Sequence, residues 1–216
     1  MLRFISIDCG ISDSSYTDEK TSIYYCSDAK FIESGENNEI SPAYKVTIHD
    51  QQLWNLRYFP EEKRNCYTLK PELGKGHKYL IRARFLYGNY DDKNQIPKFD
   101  LHIGVNLWET VKIEDASSTL NLEMIHVSLS DHIYVCLVNT GDGTPFISAL
   151  ELRPINNEVN YIPEIGSSLL LHGRYAFSSF PAGQIRRFKD DVYDRLWRQL
   201  GWEPYILKVP LQMKAL

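Results

Sequence analysis

Asp91 and Asp92 stand side by side in GNYDDKNQIP, and Asp100 follows in the strand-like run KFDLHI. Two carboxyls held about 5–10 Å apart across a cleft can hydrolyse glycosides, one as acid and one as base or nucleophile. Adjacent aspartates on a loop diverge into solvent, and Asp100 alternates with apolar neighbours on a strand. No catalytic residue is therefore assigned, and a glycoside-active enzyme is only a remote alternative. The six histidines are scattered without HxH, HExxH or Ser/His/Asp spacing. Cys9, Cys26, Cys66 and Cys136 show no CxxC or Cys/His spacing, so neither a metal site nor a cofactor is expected. Four cysteines allow three full pairings, and Cys9–Cys66 is a candidate disulfide. Cys136 lies in HIYVCLV, apolar on both faces, and reads as a buried free thiol.

The other chemistry on offer is recognition. Fourteen tyrosines are many for 216 residues, and Tyr suits both strands and amphipathic binding surfaces. The stretch from Asn65 to Val111 organises them. In KYLIRARFLY, Tyr79, Ile81, Ala83, Phe85 and Tyr87 share one face, while Lys78, Arg82 and Arg84 fall on the other, the period of a strand with one face on a core. Phe99, Leu101 and Ile103 repeat the pattern beyond the loop. That loop is longer than a turn requires and is rich in Gly, Asn, Asp and Pro, as expected of a surface connection kept for recognition.

Short β-prone runs continue along the chain: FISIDCG, IYYCSDAKFI, YKVTIHD, NLRYF, NLWETVKI, LEMIHVSL, HIYVCLVNT and PFISALELRP. Residues 11–22 and 33–42 read as loops. Polar turns separate the later runs at a spacing close to that of antiparallel sandwiches. Trp108 reads as core filler rather than a stacking platform. The expected fold is an all-β antiparallel sandwich over 1–154, a linker at 155–167 and an incomplete appendage over 168–216. Within the appendage, KDDVYDRLWRQLGW predicts a short helix capped by Asp190 or Asp191.

A net charge of −4 offers nucleic acid no basic surface. No apolar run reaches the roughly 18–20 residues needed to span a bilayer. The N-terminus lacks the shape of a signal peptide, and no Asn-x-Ser/Thr sequon occurs.

The blocks FISIDCG, YTDEKTSIYYCSDAKFI, LRYFPEEKRNCYTLKP, KYLIRARFLYGNYD, FDLHIGVNLW, CLVNTGDGTPFISALELRP and KDDVYDRLW resemble, in the same order, the malectin-like ectodomains of plant leucine-rich-repeat receptor-like kinases. The resemblance covers residues 4 to 197. It implies a jelly-roll-type malectin-like sandwich followed by the start of a second one. It also implies a non-catalytic extracellular recognition module at the plasma membrane, ahead of repeats, a membrane span and a kinase that this sequence does not contain. A fragment or truncated product is the expectation, with its own location left open. The animal lectin malectin grips sugars with aromatics and an aspartate on loops at one sandwich end. By position, the resemblance points to Tyr58, Tyr87 and Asp142, and Tyr90 and Asp91 in the organising loop are further candidates. Implied partners are a glycan or cell-wall carbohydrate, or a receptor ectodomain or peptide; the bland alternative makes Tyr87 a core-edge residue and Asp142 a turn former.

Overall fold

The computed structural model describes residues 4–12, 15–46, 50–156, 168–171, 173–178 and 185–201. In chain order the elements begin with β1 (Ile5–Asp8), β2 (Ser15–Thr17), β3 (Tyr24–Ser27), β4 (Glu36–Glu39), α1 (Pro42–Lys45), β5 (Asn55–Tyr58), β6 (Arg64–Leu69) and β7 (Lys78–Leu86). They continue with β8 (Lys98–Ile103), β9 (Asn106–Val111), β10 (Thr119–Val127), β11 (Ile133–Asp142), β12 (Phe146–Ile147) and β13 (Ala149–Ile155). The last are β14 (Ser168–Leu170), β15 (Tyr175–Ser178), β16 (Ile185–Arg187) and β17 (Leu196–Gly201). The chain divides into two units, 1–171 and 172–216.

The first unit is the expected all-β sandwich. One sheet has the order β14-β10-β7-β13-β1-β3-β2, a second β6-β11-β8-β9, and a short third β12-β5-β4. Pairing is antiparallel except between β1 and β3. Ile81, Phe85 and Leu150 from the long sheet meet Tyr67, Leu101, Leu137 and Trp108 from the second in one buried cluster. Burying those faces is the main term that holds two sheets together.

Several expectations change. Residues 36–39 are not loop: Asn37 and Asn38 pair in register with Arg57 and Leu56. Part of 11–22 is likewise a strand, β2 on β3. The run YKVTIHD opens with a helical turn instead of a strand, with Pro42 at its start, where a missing N–H costs nothing. Residues 157–167 of the expected linker lie outside the described residues. The 168–170 strand pairs with β10 at the edge of the long sheet, so it belongs to the first unit.

The cysteines also depart from expectation. Cys66 and Cys136 are directly opposite partners on β6 and β11, with Cα atoms 4.0 Å apart, and they form a disulfide. Cys136 is therefore not a free thiol, and Cys9 is not the partner of Cys66. Cys9 is a buried thiol in the core, where loss of hydration pushes its pKa well up.

The largest correction concerns the second face of β7. Arg82 and Arg84 are not solvated but buried. Cross-strand neighbours make this tolerable, since Arg82 lies opposite Glu123 on β10 and Glu151 on β13. Its Nε donates to Glu123 at 2.7 Å, and another guanidinium nitrogen bonds Glu151. Glu151 accepts from the Tyr25 hydroxyl at 2.6 Å and lies 3.3 Å from Arg153. Arg84 donates to Asn121 at 2.8 Å and to Asp50 at 2.7 Å. A second buried pair is bidentate: Arg57 holds Asp28 at 2.6 and 2.7 Å, and Tyr67 donates to the same carboxylate at 2.9 Å.

Asp8, buried on β1, accepts from the Tyr16 hydroxyl at 2.7 Å. Burial raises its pKa from 3.8 to about 7, against the Tyr16 hydrogen bond and with help from the Asp28 charge. The folded state thus holds a proton that the unfolded chain has released. That contribution to stability is full below pH 3.8 and is lost as pH rises through 7. Asp8→Asn should flatten the pH dependence of Tm between those limits and leave the variant the more stable protein at pH 8. An unchanged profile would remove Asp8 as its source.

In the second unit β15 and β16 flank β17. The predicted helix over 189–202 is not formed in its described part. Turns occupy 189–190 and 192–193, and Leu196–Gly201 is a strand. The Asp191–Arg195 pair expected on a helix does exist, at 2.8 Å. Asp191 also accepts from Trp197 at 2.9 Å and from the Tyr193 amide at 3.1 Å. Those bonds close a turn that delivers the chain to its strand partners.

Candidate recognition site

β7 ends at Leu86, Tyr87 follows it, and the next ten residues lead to β8. Gly88 opens this loop at φ +48°, where a Cβ would come within 2.4 Å of Ile40, so glycine is required. Its amide bonds Ala116 at 2.9 Å, and its carbonyl accepts from Ser41 at 2.8 Å. Asn89, Asp92 and Asn94 all have positive φ, a conformation that Asn and Asp tolerate better than other side chains. This cluster of left-handed residues folds the loop back on itself.

The Tyr87 hydroxyl is the hub of that fold. It lies 2.6 Å from Asp91 Oδ1 and 3.2 Å from Asn89 Oδ1, and the Gln95 amide donates to it at 3.2 Å. Asn89 also caps the Asn94 amide at 2.8 Å. Burial first and the Asp91 bond second push the Tyr87 pKa up to about 12. The hydroxyl therefore keeps its proton, and the donor the loop depends on persists at ordinary pH.

Aromatic rings connect the hub to the surface. Tyr90 lies 5.5 Å from Phe146, 5.6 Å from Tyr87 and 5.5 Å from Tyr58. Phe146 in turn meets Phe85 and Phe99 in the core. Asn38 on β4 donates to the Tyr90 carbonyl at 3.1 Å. At the rim, half-buried Tyr58 donates to Glu36 at 2.6 Å, and this bond raises the phenol pKa.

Tyr58, Tyr87, Tyr90 and Asp91 are thus one connected group. Tyr87 is 0% and Tyr90 7% exposed, so a ring lying flat on either face has no access. Asp91 is engaged within the loop. Among the described residues, no hydrogen bond or ring contact ties Asp142 to the group; it sits exposed at the end of β11, opposite Lys98. Asp100 accepts from Thr110 at 2.7 Å on another strand. Phe146, Asn89, Gln95, Asn38 and Glu36 were missed. The Asn89 and Asn94 spacing around an aspartate pair was the available clue, whereas the Phe146–Tyr58 contact depends on strand register.

This architecture is a packed β-sandwich with a hydrogen-bonded aromatic loop set on its strands. Among the described residues no three metal-ligating side chains cluster, and no helix is long and apolar enough to cross a membrane. Comparison with known proteins makes the assignment specific. A profile of the malectin-like domain matches residues 7–214, and the chain belongs to that family. A putative leucine-rich repeat receptor-like protein kinase of Arabidopsis thaliana is 47% identical over 205 residues, 94% of this chain and 23% of that protein. A probable LRR receptor-like serine/threonine-protein kinase of the same plant is 49% identical over 202 residues, 92% of this chain and 23% of its own length. The chain thus spans under a quarter of these relatives. The ANX2 ectodomain of Arabidopsis thaliana superposes with a TM-score of 0.68 at 15% identity, over 91% of this chain and 54% of that one. The plant receptor-like kinase FER gives 0.67 at 14% identity, with the same coverage. A further FER structure holds the plant peptide RALF23 and LLG2, with a TM-score of 0.65 at 14% identity over 91% of this chain and 53% of that one.

Proposed function

We propose that the chain is a non-catalytic extracellular recognition module of the receptor-like kinase type, and that its tyrosine-rich loop end engages a polypeptide partner. The observation that carries this reading is the hub at Tyr87. Its bonds to Asp91, Asn89 and Gln95 hold the loop in one shape before any ligand arrives, which lowers the entropy cost of binding. A sugar site of the lectin type wants open aromatic faces, and of the three tyrosines only Tyr58 offers one. A polypeptide can use what remains: the Tyr58 edge, the Glu36 carboxylate and the exposed backbone of β4. The FER complex with RALF23 and LLG2 supports a partner of this class. The Cys66–Cys136 bond favours an oxidising compartment, in keeping with an ectodomain. Residues 172–201 are read as the beginning of a second malectin-like unit.

Isothermal titration of the chain with RALF23, with and without LLG2, and in parallel with a glycan array, tests this. Tyr58→Ala should weaken peptide binding about tenfold or more, as expected for an interface aromatic, with a native far-UV CD spectrum showing that the fold is kept. Saturable sugar binding lost in Tyr58→Ala would replace the polypeptide reading with lectin activity at the same place.

A further inference from the structure

The Cys66–Cys136 disulfide faces out of the sandwich, because both residues alternate with the inward Tyr67, Val135 and Leu137. β6 is an edge strand. The Thr68 amide points away from β11 and donates to the Phe31 carbonyl at 2.8 Å. By alternation, Cys66 and Cys136 form a non-hydrogen-bonded pair, the kind in which opposite side chains come closest. On the other side of β11, His102 of β8 lies directly opposite Cys136. Cys66, Cys136 and His102 therefore stand in one row on one face, with about 5 Å between successive β-carbons.

The two sulfurs are not equally open. A groove of about 610 Å³ runs along the free edge of β6, with Ala29, Phe31, Cys66 and Thr68 in its wall. Cys66 is half-buried, whereas Cys136 is 1% exposed and, among the described residues, is not part of that wall. A thiolate attacks one sulfur of a disulfide from the side opposite the other. For Cys66 that side is the groove; for Cys136 it is the side taken by His102. The groove's charge is mixed, Lys30 against Glu33 and Glu62, so reach to the sulfur rather than steering makes the site. His102 Nδ1 lies 3.3 Å from the Val105 carbonyl, which leaves Nε2 to carry a second proton.

We propose that Cys66–Cys136 is a thiol–disulfide exchange site, reduced by a dithiol donor that enters the groove and attacks Cys66. The donor thiolate bonds to Cys66 Sγ as the Cys66–Cys136 bond breaks. Cys136 leaves as a thiolate and takes a proton from the His102 imidazolium, which regains one from water. The donor's second thiol then displaces Cys66, which takes up that thiol's proton. Two electrons pass, the donor ends as a disulfide, and both cysteines end as thiols. An exposed disulfide belongs to the labile class, and a closed one does not. The site is separate from the loop end, and either reading can fail alone.

The test is incubation of the full chain, without denaturant, with thioredoxin whose second active cysteine is replaced by serine, which traps the mixed disulfide. Peptide mapping should find the donor on Cys66 and an alkylatable thiol at Cys136. With intact reduced thioredoxin, the rate should rise in proportion to donor concentration. His102→Gln should lower that rate about tenfold or more while the urea midpoint of the oxidised protein stays where it is. Ile81→Val, a destabilising change in the core of the other sheet, should leave the rate unchanged. Exchange through global unfolding would instead run about fivefold faster in that variant. The proposal fails if the folded chain is not reduced, if the donor is found on Cys136, if Ile81→Val speeds exchange to that extent, or if His102→Gln reacts as wild type.

Discussion

Arg82→Met should cost the first unit about 3–5 kcal/mol, because removing one member of a buried ionic group strands the others. Arg82 is fully buried on the middle of three strands, with Glu123 opposite on one side and Glu151 on the other. Methionine fills much of the volume but supplies no donor, so the two buried carboxylates lose the cation they share. Arg153 remains 3.3 Å from Glu151 and relieves one of them, which argues for the lower half of the range. Folded domains retain about 5–15 kcal/mol in total, so this single change removes a large share. Urea unfolding reads it as a fall in the midpoint with the slope unchanged. Arg64→Met is the control: Arg64 is exposed and, among the described residues, its side chain bonds the Gly104 carbonyl alone, so its loss should stay within about 0.5 kcal/mol. Equal losses in the two variants would refute the assigned role of the buried row. Replacing Arg82, Glu123 and Glu151 together by Met and Leu should recover much of the stability, since an apolar core of like shape needs no ion pairing.

That row also shows where sequence reading stops. The inward face of β7 was legible because Tyr79, Ile81, Ala83 and Phe85 alternate, and one face on a core leaves just that trace. Arg82 and Arg84 left the trace of a solvated face. Only the lateral neighbours Glu123 and Glu151, 41 and 69 residues away, turn charge into something that can be buried. Strand β4 was invisible for the opposite reason: Glu36–Glu39 are polar, and their strand conformation comes from backbone pairing to β5. The stretch around β17 misled because Asp191 and Arg195 are spaced for a helix, yet the same spacing closes a turn. At the candidate site the aromatic loop was legible, but not which tyrosine is exposed. Burial of Tyr87 and Tyr90 is set by Phe146, which register brings beside Tyr58. The family resemblance carried the fold further than periodicity could, and it too was silent on which side chains remain open to a ligand.

Reduction of the Cys66–Cys136 bond should destabilise the first unit by about 4 kcal/mol. The two residues are 70 apart in sequence, and the loss of loop-closure entropy in the unfolded chain grows with the logarithm of that separation. Cys66 lies on an edge strand, so the bond also ties β6 to β11 beside five other registered residue pairs. Because those pairs and the inward Tyr67 and Leu69 remain, the reduced protein should still fold, with a lower urea midpoint. Cys66→Ala combined with Cys136→Ala should reproduce the midpoint of the reduced wild type, and reductant should then have no further effect. Alkylation under denaturing, non-reducing conditions followed by peptide mapping discriminates the pairing: label on Cys9 and Cys26, and none on Cys66 or Cys136, is expected. Peptide mapping that found Cys9 joined to Cys66 would overturn the assignment, because the buried Cys9 side chain belongs to the core on β1's side of the sandwich. Cys9→Ala should leave the response to reductant intact, costing only the packing of one small buried side chain, about 1–2 kcal/mol.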